Sequence, residues 1–246
     1  MRAAVPGGEV GAFERRPVKH GLPVWTMQRY RDLELEDLKQ RLLAMGALVE
    51  SRLEDALQAL ITRNSRLATR IVENDVPVNK LEVEIDGSCL QHLAVYHPIA
   101  GELRFITTAM KIAGELERMS DLAENIAERT IELNQEPQLK PYLDIPMMGY
   151  RAIGMAKEAL DAFVARDAAL ARKVCRDDEL VDDLTEQLFR ELLSFMLEDR
   201  NTVSRAVRLT FIGKYFERIA DHATNVAELV VYMVEGKIIR HLPVES

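Results

Sequence analysis

From Leu35 onward the apolar residues recur at steps of three and four. Leu35, Leu38, Leu42, Met45, Leu48 or Val49, Leu53, Ala56 and Leu60 form one stripe. That spacing predicts an amphipathic helix from about Tyr30 to Arg63. Asn64 and Ser65 supply a turn and an N-cap. A second helix runs to about Tyr96, where His97-Pro98 breaks it, because the residue before a proline disfavours the α region. A third runs from about Ile99 to Leu133. Its apolar stripe is Ile112, Leu116, Met119, Ala123, Ile126 and Leu133. The same order then recurs. A helix starts near Pro146, Asp167 caps the next one, and Glu198–Asn201 makes a polar turn. A last helix, with stripe Phe216, Ile219, Ala223, Val226, Val230 and Met233, reaches Val234 before a C-capping Gly236. No segment shows the alternation of a half-buried strand. The prediction is all-α: two tandem three-helix bundles, each long stripe covered by two neighbours.

The recurrence is written in the residues. Residues 117–128 read ERMSDLAENIAE and residues 217–228 read ERIADHATNVAE, identical at seven of twelve positions. Upstream, 56–81 aligns with 159–184 at a constant offset of 103, matching Ala56, Leu57, Ala59, Arg63, Leu67, Ala68, Asp75, Val78 and Leu81 with their partners. At the acidic segment the offset is 100, so three residues differ in an intervening loop. The chain is an internal duplication. The expected division is 27–134 for the first bundle, 135–146 for a proline-rich linker and 147–240 for the second bundle. Residues 1–26 hold Pro6, Gly7, Gly8, Pro17 and Pro23 without periodicity. They read as a disordered extension or a mis-assigned start, contributing nothing to the fold.

Composition narrows the function. Apolar residues make up 48% of the 246, enough for a sizeable core, and the net charge of −8 argues against a nucleic-acid phosphate as main partner. It suits a divalent cation or a basic protein surface. The longest apolar run, LVVYMV at 229–234, is far short of the ~20 residues of a membrane span. Cys89 and Cys175 form no CxxC pair and read as small core residues, in keeping with a reducing, cytoplasmic setting.

Candidate chemistry lies in the duplicated segment. Glu117, Asp121 and Asn125 stand at i, i+4 and i+8, as do Glu217, Asp221 and Asn225. On a helix this is one ridge, drifting about 40° per step. The ridge lies about 100° from the core stripe, so it is expected at the bundle edge. Helix 2 supplies residues at matching levels. Counted from Pro98, Asp75 and Asn79 lie as far before the turn as Asp121 and Glu117 lie after it. About Arg200, Asp178 and Asp182 match Asp221 and Glu217 to within a residue. Each half can thus gather four oxygen-bearing side chains, a set suited to Mg, Mn, Fe or Zn. The plainer reading is a solvated acidic face, in which like charges at i, i+4 cost a few tenths of a kcal/mol. Recurrence in both halves, with matched acids on the neighbouring helix, brings the two readings level. Asn125 and Asn225 read as inter-helix hydrogen bonders and Arg118 and Arg218 as partners of nearby acids. His222 reads as a polar surface residue, and His92 and His97 as residues without partners.

These segments, together with RLLAMGALVE at 41–50, HPIAGELR at 97–104 and the helix end VVYMVEG, resemble the PhoU family over nearly everything from Met27 to Gly236. The resemblance implies two tandem three-helix bundles, metal ions on the acidic ridges, a homodimer, and no enzymatic activity. It further implies a negative regulator of phosphate-starvation signalling and phosphate uptake. Such a protein would act as an adaptor between the ATPase of a phosphate ABC importer and a membrane sensor histidine kinase, at the inner face of the membrane. Carried over, the metal role falls to Glu117, Asp121, Glu217 and Asp221, completed by Asp75, Asn79, Asp178 and Asp182. Asn79 stands where the second half has Asp182, which predicts weaker binding in the first half.

Two other functions compete. A di-metal carboxylate enzyme of ferritin-like type takes Glu-x-x-His pairs from core helices, and the sequence has none. A purely structural helical scaffold would leave both ridges without a ligand.

Overall fold

The computed structural model describes residues 24–74 and 76–239, with side chains from residue 28 onward. The elements among the described residues are all helical: α1 Val24–Ile61, α2 Ser65–Glu73, α3 Val76–Tyr96, α4 Ala100–Leu133, α5 Asp144–Ala165, α6 Ala168–Glu198 and α7 Val203–Glu235, with a 3-10 turn at Arg200–Thr202 before α7. The expectation for residues 1–26 falls almost wholly outside the described residues.

The predicted stripes are the core. Every stripe residue named for α4 and α7 is buried, and in α1 Val49 faces inward while Leu48 is exposed. Asn64 and Asp167 cap α2 and α6 with their side-chain oxygens, accepting from Leu67 N and from Ala169 and Leu170 N. Arg63 and Arg166, 103 residues apart, both end their helices in the left-handed region with φ 53°. Gly236 ends α7 the same way at φ 73°, as a residue without Cβ does at low cost.

The second helix of the first half is in two pieces. α2 stops at Glu73 and α3 restarts at Val76, whereas α6 runs unbroken through the equivalent stretch. Pro77 accounts for this. It lacks an N–H and crowds the preceding turn, so it sits only in a first turn, and the aligned residue in α6 is Leu180.

α4 packs on α1, α2 and α3 and also on α7, which packs in turn on α5 and α6. α1 also touches α5. The buried side chains therefore form one continuous core through both halves. The halves approach most closely at two glycines, where leucine side chains from the other half fill the space. A Cβ on Gly149 would lie 2.8 Å and 2.9 Å from the two methyl carbons of Leu57, and one on Gly46 would lie 2.5 Å from Leu160.

The segment between α4 and α5 is pinned. Arg63 donates to the carbonyls of Leu133 and Glu136 at 3.1 and 2.6 Å. Arg205 donates to the Pro137 carbonyl at 3.0 Å. The buried Lys140 pairs with Asp144 and Glu191. α5 begins at Asp144, so Pro146 lies in its first turn, where its missing N–H would have had no partner.

Candidate functional site

The ridge helices bury corresponding residues alike. From Asp121 to Thr130 and from Asp221 to Val230 the order of exposed, half-buried and buried positions is the same. The acidic groups nevertheless sit in two different environments.

In the second half α6 and α7 bring Asp178, Asp182, Glu217 and Asp221 together. The Asp178 carboxyl is pushed up to about 7 by burial and then by the charges of Asp182, Asp221 and Glu217, with the Thr224 hydroxyl offsetting this only in part. Its Oδ1 is buried and has no hydrogen-bond donor. Asp182 is raised by burial, Glu217 and Asp221. Asp221 is raised by burial and Glu217. Mutual repulsion of this kind is the mark of carboxylates sharing one site. Sequence reasoning missed a fifth member, Lys214. Its Nζ lies 2.8 and 2.6 Å from the two Glu217 oxygens, and its charge also eases Asp182 and Asp221. Its place three residues before Glu217 on the same helix was the signal available.

In the first half Asp75 lies outside the described residues. Asn79 and Glu82 are on α3, and Glu117 and Asp121 on α4. Glu82 was also missed, although it stands three residues after Asn79 on the same stripe. Its carboxyl is raised by burial, by Asp86 and by Asp121, with Arg118 opposing. Glu82 approaches α4 at Gly114, where a Cβ would lie 4.0 Å from its Oε1. The aligned residues in the second half are Thr185 for Glu82 and Lys214 for Gly114. The first half thus adds an acid where the second adds a cation.

Among the described residues no three His, Cys, Asp or Glu side chains converge at metal-ligand spacing. The donor chemistry of the second cluster nonetheless fits a hard divalent cation. All its donors are carboxylate oxygens, one oxygen is orphaned and buried, and every resolved shift among them is upward.

Two histidines depart from expectation. His222 is buried, not a surface residue: it faces α4, with Nδ1 2.7 Å from Glu115 Oε2. Asn225 Nδ2 donates to the same oxygen at 3.1 Å, the inter-helix role expected of it. Asn125 instead donates to the Asp121 carbonyl within its own helix at 2.9 Å. Arg118 pairs with Glu115 at 3.4 Å. His92 is also buried and does have partners, Glu102 at 3.0 Å and Glu34 at 3.6 Å. Sequence reasoning could not pair Glu115 with His222, because the contact breaks the repeat. The aligned residues are Tyr215 and Leu122.

Fold and site together define a duplicated all-α protein with a carboxylate-lined groove on its second half and a buried polar tie between its halves. The PhoU domain model matches residues 42–130 and 145–230. The chain is 43% identical over 208 residues to the phosphate-specific transport system accessory protein PhoU homolog of Aquifex aeolicus, covering 85% of this chain and 94% of that one. It is 34% identical over 209 residues to the phosphate-specific transport system accessory protein PhoU of Escherichia coli, covering 85% and 87%. The crystal structure of PhoU from Pseudomonas aeruginosa superposes with TM-score 0.81 at 40% identity, over 84% of this chain and 99% of that one. That of the phosphate transport system regulatory protein PhoU from Streptococcus pneumoniae superposes with TM-score 0.79 at 30% identity, over 85% and 98%. The chain belongs to the PhoU family, a family of non-enzymatic accessory and regulatory proteins of phosphate-specific transport. Among the described residues no helix is long and apolar enough to cross a membrane.

Proposed function

We propose that the protein is a negative regulator of phosphate uptake and of the phosphate-starvation response. It acts in the cytoplasm, at the inner face of the membrane, as an adaptor between the ATPase of a phosphate ABC importer and a sensor histidine kinase, and it works as a homodimer. Family membership across both halves supports the phosphate role. The observation that carries the metal part of the reading is the second cluster, where the buried Asp178 oxygen and three further carboxylates lack sufficient positive charge. Asp178, Asp182, Glu217 and Asp221 would hold a divalent cation there, and Asp75, Asn79, Glu117 and Asp121 would form the corresponding set in the first half. Such a cation, when bound, would neutralise the like charges and fix α6 against α7. The protein's own groups set the geometry: the continuous α6 holds Asp178 and Asp182 one turn apart, and Lys214 restrains Glu217.

A deletion strain carrying a starvation-promoter reporter tests this reading. Expression should become constitutive at high phosphate, and a Glu217→Ala/Asp221→Ala variant should restore only part of the repression. A deletion strain that still silences the reporter would remove the regulatory role. Full repression by a variant shown to bind no metal would remove the metal from it.

A further inference from the structure

α1 is longer than its counterpart. α5 begins at Asp144, which aligns with Arg41, so residues 24–40 form a helical overhang where the second half has its linker. Charged groups hold the overhang to the end of α3 and the start of α4. Glu34 lies 3.6 Å from His92 Nδ1, and Glu102 lies 3.0 Å from His92 Nε2. Arg31 reaches the same Glu102 oxygen at 3.5 Å. Tyr96 lies against the His92 ring, with centroids 4.6 Å apart. Its hydroxyl is raised from the ordinary 10.0 by burial, then by the charge of Glu34 and a hydrogen bond to it, with Arg31 opposing. His92 is 3% exposed. It also lines a groove of about 480 Å³ between α1 and α3, which gives solvent protons a way to the ring. The remaining charges of that groove are paired, Asp37 with Arg41 at 2.8 Å and Arg41 with Glu84 at 3.4 Å.

The second half closes the same end without such a cluster. The residues aligned with His92 and Glu102 are Phe195 and Thr202. There Thr202 Oγ1 donates to the Phe195 carbonyl at 2.7 Å. A buried histidine between two carboxylates is therefore an addition of the first half and not a requirement of the fold.

The geometry depends on a proton. A neutral imidazole has one N–H and one lone pair, whereas the imidazolium has two N–H groups, and an ionised carboxylate only accepts. Nε2–H serves Glu102, so in the neutral ring the Nδ1 lone pair would face the Glu34 carboxylate. The imidazolium satisfies both sides. Arg31 keeps its tie to Glu102 in either state, so loss of the proton loosens the overhang without detaching it. Imidazole is the side chain whose charge ordinarily changes near neutral pH.

We propose that His92 is a proton-operated clasp: as imidazolium it bridges Glu34 of the α1 overhang to Glu102 at the start of α4, and on deprotonation it lets the overhang loosen from the α3–α4 end. Leu38, buried where the overhang packs, then meets solvent. The clasp depends neither on a bound metal nor on the phosphate reading.

Hydrogen exchange of the full chain tests it, measured by mass spectrometry at about pH 6 and about pH 9 and corrected for intrinsic rates. Tyr96, raised above its ordinary value, keeps its proton across this range. Peptides from residues 28–40 should open about tenfold more at the higher pH, the weight of one charge-assisted hydrogen bond. Peptides from the rest of α1 should not change. His92→Phe installs the residue that the second half carries and should erase the response. His97, exposed in the adjoining turn, is still present in that variant, so a response that persists there overturns the proposal. Glu34→Gln supplies an amide that can donate to the neutral ring, and should keep the overhang protected at about pH 9. Nitrogen NMR of the wild-type imidazole needs no variant: both ring nitrogens should be protonated at about pH 6 and one at about pH 9. Equal corrected protection of residues 28–40 at the two pH values, or a ring with a single N–H at the lower one, overturns the proposal.

Discussion

Two half-buried carboxylates in this molecule have opposite electrostatics. Glu115, on the seam between α4 and α7, is held below the ordinary carboxylate range. Burial would raise it, but hydrogen bonds from His222 and Asn225, with the charges of His222 and Arg118, outweigh burial. Asp178, in the groove between α6 and α7, is pushed up to about 7 because burial is compounded by three acids. Similar desolvation thus gives contrary results according to what each neighbour carries. The seam carboxylate is complete in its own partners, and it ties α4 to α7 across the apolar seam. The groove carboxylate is surrounded by like charge, with burial and three acids all raising it.

Removing Glu115 should have the largest effect. Glu115→Leu leaves His222 buried against an apolar side chain, and the loss of one partner of a buried pair costs about 3 kcal/mol. For a chain of this size the melting temperature should fall by roughly 6–12 °C. His222→Leu, which installs the residue that the first half carries as Leu122, should restore part of that loss in the double variant. A double variant no more stable than Glu115→Leu would show that the seam rests on the apolar contacts alone. The pH dependence carries a definite sign. Because the folded-state pKa of Glu115 is lowered, its contribution is present above the ordinary value of 4.5 and lost as the pH falls through the folded value.

Asp178 should move stability the other way and by less. Its folded-state pKa is raised from 3.8 to about 7, so the folded protein holds the proton more tightly than the unfolded chain. Stability from this group is present below pH 3.8 and lost as the pH rises toward 7. In chelator-treated protein at neutral pH, Asp178→Asn should therefore raise the melting temperature by about 2–4 °C, corresponding to ~1 kcal/mol. The gain should vanish near pH 4, where the wild-type carboxyl is largely protonated. Equal melting temperatures of the two proteins across that range would mean that the cluster is open enough for water to screen it.

The helices were legible because burial imposes a period, and each predicted stripe on α4 and α7 is core. Position on the ridge was also legible, since a repeated Glu-x-x-x-Asp fixes a face wherever the helix is placed. What the repeat obscured were its own exceptions. Pro77 splits one arm of the first half while Leu180 leaves its counterpart whole. Glu115 meets His222 across the seam, and neither residue has a like partner in the other copy. A contact between non-equivalent positions has no periodic signature. It depends on how α4 and α7 pack, which no stripe on either helix states.

Lys214 offers the finest test of the comparison, because it is a cation paired inside the acidic groove and its counterpart in the first half is Gly114. Counting carboxylates alone predicts that the second half binds a divalent ion more tightly than the first, by virtue of Asp182 in place of Asn79. The structure complicates that count, since Lys214 already neutralises part of Glu217 and eases Asp182 and Asp221, while the first half gains Glu82. A resident ammonium competes with an incoming cation for the same oxygens. Lys214→Ala should therefore raise the affinity for Mn²⁺ in a calorimetric titration by roughly three- to tenfold, the range expected of one unit charge a few ångströms away in a partly solvated site. Asn79→Asp should raise affinity in the first half by a comparable factor, and Asp182→Asn should lower it in the second. A Lys214→Ala variant whose affinity falls would mean that the lysine orients Glu217 for the metal instead of competing with it. In that case the two halves would differ in how their ligands are positioned, and no longer simply in how many charges they hold.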